Sequence, residues 1–359
     1  MKGLILAGGL GTRLRPLTHT GPKQLIPIAN KPVLHYGIEC MEDAGIKEIG
    51  IIVGYTPERI QQIVNSVGDG SKWGVKITYI EQDAPRGIAH AVGIAEDFIG
   101  GDDFVVHLGD NMFKEGIKEH LEYFKESGAH ACLILSESET PEKFGVALTN
   151  EKGEVIEVEE KPAKPKTNLV ITGLYFFKPE IFQFIRKLKP SARGELEITH
   201  AIQKMLESKE YKVISRVTRG WWDDTGTAES VLRANRLILT DLKPLNKGVV
   251  EENVKIMGTV NIDEGTIIKQ GSVILGPAII GKNCVIGPSA YIGPYTSIGD
   301  NTKIIGGEIE SSIVIGDATI KFEQKIVDSL IGKNTIILSE NSLPRGYRFI
   351  VGENAVIRT

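Results

Sequence analysis

The sequence predicts an α/β domain with a doubly wound, mostly parallel sheet, followed by a C-terminal left-handed parallel β-helix. Three observations carry that prediction. At 359 residues the chain exceeds what one ordinary core accommodates. Up to about residue 240, short β-branched runs alternate with longer helical patterns. From Ile256 onward an isoleucine recurs at every sixth position. The expected domains are therefore 1–240 and 241–359, the second carrying a short C-terminal tail.

In the first domain, apolar runs at Leu4–Ala7, Ile49–Val53, Ile77–Ile80, Phe104–Leu108 and Cys132–Leu135 are bounded by Gly, Asp or Asn, as buried strands are. Helical patterns lie between them. Pro32–Ala44 ends at Gly45, Pro57 sits at a helix start, and Gly87–Phe98 carries apolar residues at helical spacing. Strand–helix–strand order implies a sheet whose ligands bind beyond the carboxyl ends of its strands. The loops after the first and fourth strands are the places to seek chemistry. Thr227–Leu242 reads as a connecting helix, with Pro244 marking its end.

The second domain follows a different rule. Ile256, Ile262, Ile268, Ile274, Ile280, Ile286, Ile292, Ile298 and Ile304 keep one register, and glycine often follows. Neither a period of two nor one of 3.6 produces this spacing. A triangular β-helix does, because each face takes six residues and turns one aliphatic side chain inward. The phase slips after Gly306-Gly307 and resumes through Ile315-Gly316 and Ile331-Gly332, which reads as an inserted loop at Gly306–Ser312. The apolar tail Tyr347–Ile357 is a candidate cap or docking segment.

Composition narrows the partners. A net charge of −4 supplies no electrostatic reason for nucleic acid or an acidic membrane. No apolar run approaches the roughly 20 residues of a membrane span, and glycines interrupt the apolar start too early for a signal peptide. Three scattered cysteines (Cys40, Cys132, Cys284) form no CxxC pair, which points to the cytoplasm and away from a zinc site. A homo-oligomer is expected.

The chemistry-bearing residues begin with Gly8-Gly9-Leu10-Gly11-Thr12-Arg13, directly after the first strand. Consecutive glycines let backbone N–H groups face an anion. No Gly-Lys-Ser/Thr closes the loop and the third fingerprint glycine is missing, so it is neither a Walker loop nor a dinucleotide motif. Arg13, Arg15 and Lys23 place positive charge beside it, which suits a triphosphate. Asp110, in Leu108-Gly109-Asp110-Asn111, ends the fourth strand and can hold a divalent ion over that loop. In Trp222-Asp223-Asp224-Thr225-Gly226 either aspartate can cap the following helix, or Asp224 can join Asp110 on Mg²⁺.

These motifs, with Pro22-Lys23-Gln24, Glu160-Lys161-Pro162, Thr172-Gly173-Leu174-Tyr175 and Asp224-Thr225-Gly226-Thr227, occur in order. Together they resemble the glucose-1-phosphate thymidylyltransferases, in the long form with a β-helical tail. The resemblance implies a nucleotidyltransferase fold and transfer of a nucleotidyl group from dTTP to glucose-1-phosphate, with Mg²⁺ and loss of pyrophosphate. It implies that Gly8, Gly9, Gly11, Thr12 and Arg13 hold the triphosphate and that Lys23 neutralises the reacting phosphates. By the same resemblance Gln82 and Gly87 face the pyrimidine, and Asp110 and Asp224 bind Mg²⁺. Gly145, Glu160 and Ile171 line the sugar, Lys161 binds its phosphate, and Arg193 assists. Phe144 departs from the tyrosine of the short enzymes, which leaves the preferred hexose open.

The residue types agree with that reaction. A sugar-1-phosphate is already anionic, so attack on the α-phosphorus needs positioning and charge neutralisation and no histidine base. UTP is an alternative substrate, since Gln82 can pair with thymine or uracil alike. A hexapeptide acyltransferase would use a histidine base, yet no histidine follows His200. A non-catalytic regulatory subunit would not need Arg13, Lys23, Asp110, Lys161 and Asp224 together, and all five are present.

Overall fold

The structure is a computed structural model and describes residues 1–339. Two compact units result, Met1–Asp241 and a second that begins at Leu242. The tail Tyr347–Ile357 lies outside the described residues.

The first unit is built on strands β1 (Lys2–Leu6), a short hairpin β2–β3 (Pro27–Ile28, Lys31–Pro32), β4 (Glu48–Val53), β5 (Lys76–Glu81), β6 (Phe104–Leu108) and β7 (Asn111–Phe113). They are followed by β8 (Ala131–Glu137), β9 (Gly145–Thr149), β10 (Val155–Glu160), β11 (Leu169–Phe177), β12 (Val213–Val217) and β13 (Trp222–Asp224). Its helices are α1 (Val33–Asp43), α2 (Pro57–Val67), α3 (Ile88–Gly93), α4 (Glu96–Ile99), α5 (Lys118–Ser127), α6 (Ile181–Ile185), α7 (Ile198–Glu207) and α8 (Ala228–Thr240).

Nine strands form the main sheet. The stretch β5-β4-β1-β6 is parallel throughout. Beyond it β11 runs antiparallel to β6 and β8, so the sheet is mixed on that side. Alternation along the strands divides the apolar residues between two cores. Leu4, Phe104 and Val106 face Ala89, Ile181 and Ile202 on one side. Ile5 and Val105 face Leu34, Ile38 and Phe124 on the other. That is the doubly wound arrangement, in which the central strands β1 and β6 are covered on both faces.

Register then positions the site. Leu6 pairs with both Ile52 and Leu108, and Ile52 pairs with Ile80. Counting two residues past each partner brings Gly8, Gly54, Gln82 and Asp110 to one edge of the sheet. The expected helix over Gly87–Phe98 is instead two helices, α3 and α4, with Ile94 and Ala95 as the caps between them. Neither Asp223 nor Asp224 caps α8. Thr227 does so, accepting from the Ser230 N–H at 3.2 Å while Ser230 Oγ accepts from the Thr227 N–H.

In the second unit three sheets of parallel strands stack coil upon coil. The hexad isoleucines form three columns, one per sheet: Ile256–Ile274–Ile292, Ile262–Ile280–Ile298 and Ile268–Ile286–Ile304. All but Ile256 are buried; Ile256 belongs to the first coil, with no rung beneath it, and is 38% exposed. The slip is not an inserted loop. Ile292 pairs with Ile309, and Ile298 with Val314, so the inward residues step by five where six had been the rule. Left-handed Gly306 and Gly307 (φ 66° and 70°) lie at the first tightened corner and left-handed Ser311 (φ 49°) at the second. Val314, not Ile315, therefore faces inward. Other corners take Asn283, Asn301, Asp317 and Asn334 in the left-handed region, and Asn301 donates to Asp317 Oδ1 at 2.9 Å.

Candidate active site

The glycine loop leaves β1 and turns through left-handed Gly11 (φ 65°) into a single 3-10 turn, Thr12–Leu14. Gln82, at the end of β5, lies so close that a Cβ on Gly8 would meet its Nε2 at 2.6 Å. Its amide donates to the Gly8 carbonyl at 3.3 Å. Among the described residues no hydrogen bond leaves the backbone N–H of Gly9, Leu10, Gly11, Thr12 or Arg13. A row of unspent donors in a glycine turn is suited to an anion.

Charge gathers under this loop. Lys23 crosses beneath Gly9 and makes an ion pair with Asp110 Oδ2, both side chains being largely enclosed. The Asp110 backbone is fixed by Thr225, whose N–H and hydroxyl each donate to its carbonyl at 2.8 Å. Because β13 pairs with β7, Asp224 stands opposite Asn111 and next to Asp110. Burial pushes the Asp224 carboxyl up to about 6, and the charges of Asp110 and Asp223 push the same way, against Arg13 and Lys23. Burial acts upward on Asp110, but the charge and hydrogen bond of Lys23, with the hydrogen bond from Asn111, together hold that carboxyl below its ordinary value. Arg13 reaches the same place, its Nη2 within 2.8 Å of where a Cβ on Gly226 would stand.

Two mutually repelling carboxylates beside free N–H groups form a donor set suited to magnesium shared with phosphate oxygens. Among the described residues no group of three or more His, Cys, Asp or Glu could enclose a metal without such help. Asp110 and Asp224 fit the ion on those terms. Asp223 points elsewhere. It is buried and holds the Arg233 guanidinium at 2.5 and 2.7 Å, a structural pair.

A second cluster lies where β9 and β10 pair. Gly145 stands opposite Glu160, and a Cβ on Gly145 would lie 3.2 Å from Glu160 Oε2 and 3.5 Å from Ile171 Cδ1. Glu160 accepts from Thr199 Oγ1 at 3.0 Å and from Arg193 Nη2 at 3.2 Å. Burial, and then the charge of Glu197, push its carboxyl upward. Lys161 has a left-handed backbone (φ 44°), held by its N–H donating to the Phe144 carbonyl at 3.0 Å. That conformation costs a residue with a β-carbon about 1 kcal/mol, and it turns the ammonium to 3.9 Å from Glu160.

All the expected residues except Arg15 fall into these two clusters or near them. Gly87 (φ 104°) sits between, its Cα so near the Leu196 backbone that a Cβ would meet the carbonyl at 2.6 Å. The clusters are joined by Trp222, which donates to Asn111 Oδ1 at 2.6 Å and packs edge-on against Phe144. Arg15 is exposed, and its guanidinium makes no hydrogen bond or ion pair among the described residues. Residues the sequence reading passed over include Thr199, Glu197 and Gln24. Glu197 is buried and bonds Arg193 at 2.8 Å and Ser191 Oγ at 2.9 Å. Gln24 is buried between Gly9 and Gly109, and its Oε1 has no partner among the described residues. Its place within Pro22-Lys23-Gln24 was the one signal available.

The sequence profile of the nucleotidyl transferase family matches residues 2–241. The chain belongs to that family. The profile of the bacterial transferase hexapeptide repeat matches residues 277–307 of this nucleotidyltransferase, within the coils of its left-handed β-helix. The chain is 49% identical over its full length to the low-salt glycan biosynthesis nucleotidyltransferase Agl11 of Haloferax volcanii, all of which is covered. It is 45% identical to a glucose-1-phosphate thymidylyltransferase of Streptomyces antibioticus, with 99% of each chain covered. A Bacillus anthracis crystal structure described as a glucose-1-phosphate thymidylyltransferase in complex with sucrose superposes with a TM-score of 0.62 at 40% identity. It covers 69% of this chain and 97% of its own.

Proposed function

We propose that this nucleotidyltransferase moves a thymidylyl group from dTTP to glucose-1-phosphate, releasing pyrophosphate. The observation that carries the reading is the convergence of Arg13, Lys23, Asp110 and Asp224 beneath a loop of unspent N–H donors. The names of the similar proteins supply the thymidylyl and glucosyl parts.

In this reading the loop N–H groups and Arg13 bind the triphosphate, and the Gln82 amide faces the base. Lys161 and Arg193 hold the phosphate of the sugar phosphate, while Glu160 and Ile171 line the sugar beside Gly145. An anionic phosphate oxygen of the sugar then attacks the α-phosphorus, and pyrophosphate leaves in line. No proton has to be removed from the nucleophile. Lys23 neutralises charge on the reacting phosphates, a role its place between loop and Asp110 supports. Magnesium, when bound by Asp110 and Asp224, supplies Lewis-acid neutralisation of phosphate oxygens.

The test is a substrate panel on the full chain: Mg²⁺, glucose-1-phosphate, and each of dTTP, UTP, ATP, GTP and CTP, with pyrophosphate release measured. Sugar-dependent release is expected with dTTP. Faster release with UTP would favour the uridylyl reading, because an amide pairs with both bases and ignores the 5-methyl group. No sugar-dependent release with any nucleotide would end the enzyme reading.

A further inference from the structure

The Gly8, Leu10, Gly11 and Thr12 carbonyls of the glycine loop accept hydrogen bonds, and the residue that binds Leu10, together with the Thr18 carbonyl just after the loop, stands outside both clusters. Arg59 lies in the first turn of α2, after the Thr56 cap and Pro57. Its Nη1 donates to the Leu10 carbonyl at 3.1 Å and its Nη2 to the Thr18 carbonyl at 2.6 Å. Thr18, wholly buried, donates its own hydroxyl to the Gly11 carbonyl at 2.7 Å. The Gly8 carbonyl is taken by Gln82. Arg59 thus ties the middle of the loop to the segment that returns from it.

Two physical points make this more than a surface contact. A cation in the first turn of a helix faces the positive end of the helix dipole, an unfavourable position that helix stability does not explain. Carbonyl dipoles aimed at a polyphosphate would repel it, so a cradle works only if those oxygens are turned away and held. We infer that Arg59 is a positioning residue for phosphate binding: from behind the loop it holds the Leu10 and Thr18 carbonyls, leaving the N–H face to the anion. Its guanidinium also adds positive potential at the loop. The inference rests on the nucleotidyl-transfer reading only for the identity of the anion.

The experiment uses the full chain and the variants Arg59→Gln, Arg59→Lys and Thr18→Val. Binding of inorganic pyrophosphate with Mg²⁺ is read by titration calorimetry, and KM for dTTP and for glucose-1-phosphate by steady-state assay. Thermal midpoints show whether each variant is folded. Arg59→Gln is expected to weaken pyrophosphate binding and raise the dTTP KM by about tenfold, the scale of one charge-assisted hydrogen bond. The glucose-1-phosphate KM should stay within about twofold, smaller than one neutral hydrogen bond provides. Arg59→Lys should fall between, because an ammonium cannot span two carbonyls as a planar fork does. Thr18→Val keeps shape, removes the neighbouring hydrogen bond, and should shift the same two readouts; it decides the matter if Arg59→Gln does not fold. Equal changes in both KM values, or unchanged pyrophosphate affinity in the folded variants, would overturn the inference. A wild-type chain that binds pyrophosphate in an Arg59-dependent way yet transfers nothing would overturn the reading of function and leave the inference standing. A wild-type chain that binds no pyrophosphate would overturn the cradle itself.

Discussion

Asp224 and Asp223 are neighbours with opposite assignments, and the difference comes from what each carboxylate meets. Asp223 faces Arg233 and is neutralised by it. Asp224 faces Asp110 and, among the described residues, has no cation within bonding distance, only the more distant charges of Arg13 and Lys23. Replacing Asp224 by Asn keeps the shape, removes one of two repelling charges, and takes away the proposed ligand for magnesium. Turnover is therefore expected to fall by at least about a hundredfold, while the thermal midpoint holds or rises. Wild-type turnover across a magnesium titration would show that Asp224 is not part of the metal shell. Asp223→Asn should show the reverse pattern, a lower midpoint with activity largely kept, because Arg233 then loses its partner.

The β-helix shows how one element tolerates one change and not another. Its columns tolerate a shortened step, because left-handed Gly306 and Gly307 absorb the missing residue at a corner and Ile309 still lands on Ile292. They do not tolerate a charge. Ile286 is wholly buried between Ile268 and Ile304. An aspartate there would stand unpaired among aliphatic side chains, at a cost of several kcal/mol on the scale of buried unpaired polar groups, roughly 2–7. Ile286→Asp is expected to melt the second unit at a lower temperature and leave the first unit's transition in place, as read by scanning calorimetry. One unchanged thermogram would show that the inward column contributes no cohesion.

At the scale of the whole molecule, three histidines tie stability to pH. Burial lowers His35, His107 and His120 each to about 4; Lys72 adds to it at His35 and Arg216 at His120. Each is thus depressed below the ordinary 6.5, so the unfolded chain binds protons that the folded chain refuses. Their contribution is complete above about pH 6.5 and is lost progressively as pH falls toward 4. The thermal midpoint should accordingly drop between pH 7 and pH 4, and His120→Gln should flatten that slope. An identical slope in the variant would remove His120 from the account.

Much of this architecture is local and therefore legible in the chain. Five strand runs, the Pro57 helix start and the six-residue isoleucine register follow from periodicity and turn residues, because side-chain direction repeats with backbone geometry. The glycine loop and the aspartate after β6 are legible for a related reason: parallel sheets gather their strand ends at one edge. What the chain does not show are partnerships between distant segments. Thr227 rather than an aspartate caps α8, Asp223 meets Arg233, and Arg59 meets two carbonyls 49 and 41 positions earlier. Left-handed Lys161 is another case, held by a carbonyl across a strand pair. Hydrogen bonds and ion pairs of this kind depend on ångström-scale placement that no residue spacing encodes. Sequence determined the elements and the edge where chemistry gathers, and tertiary structure decided which polar groups are occupied and which are left free for a ligand.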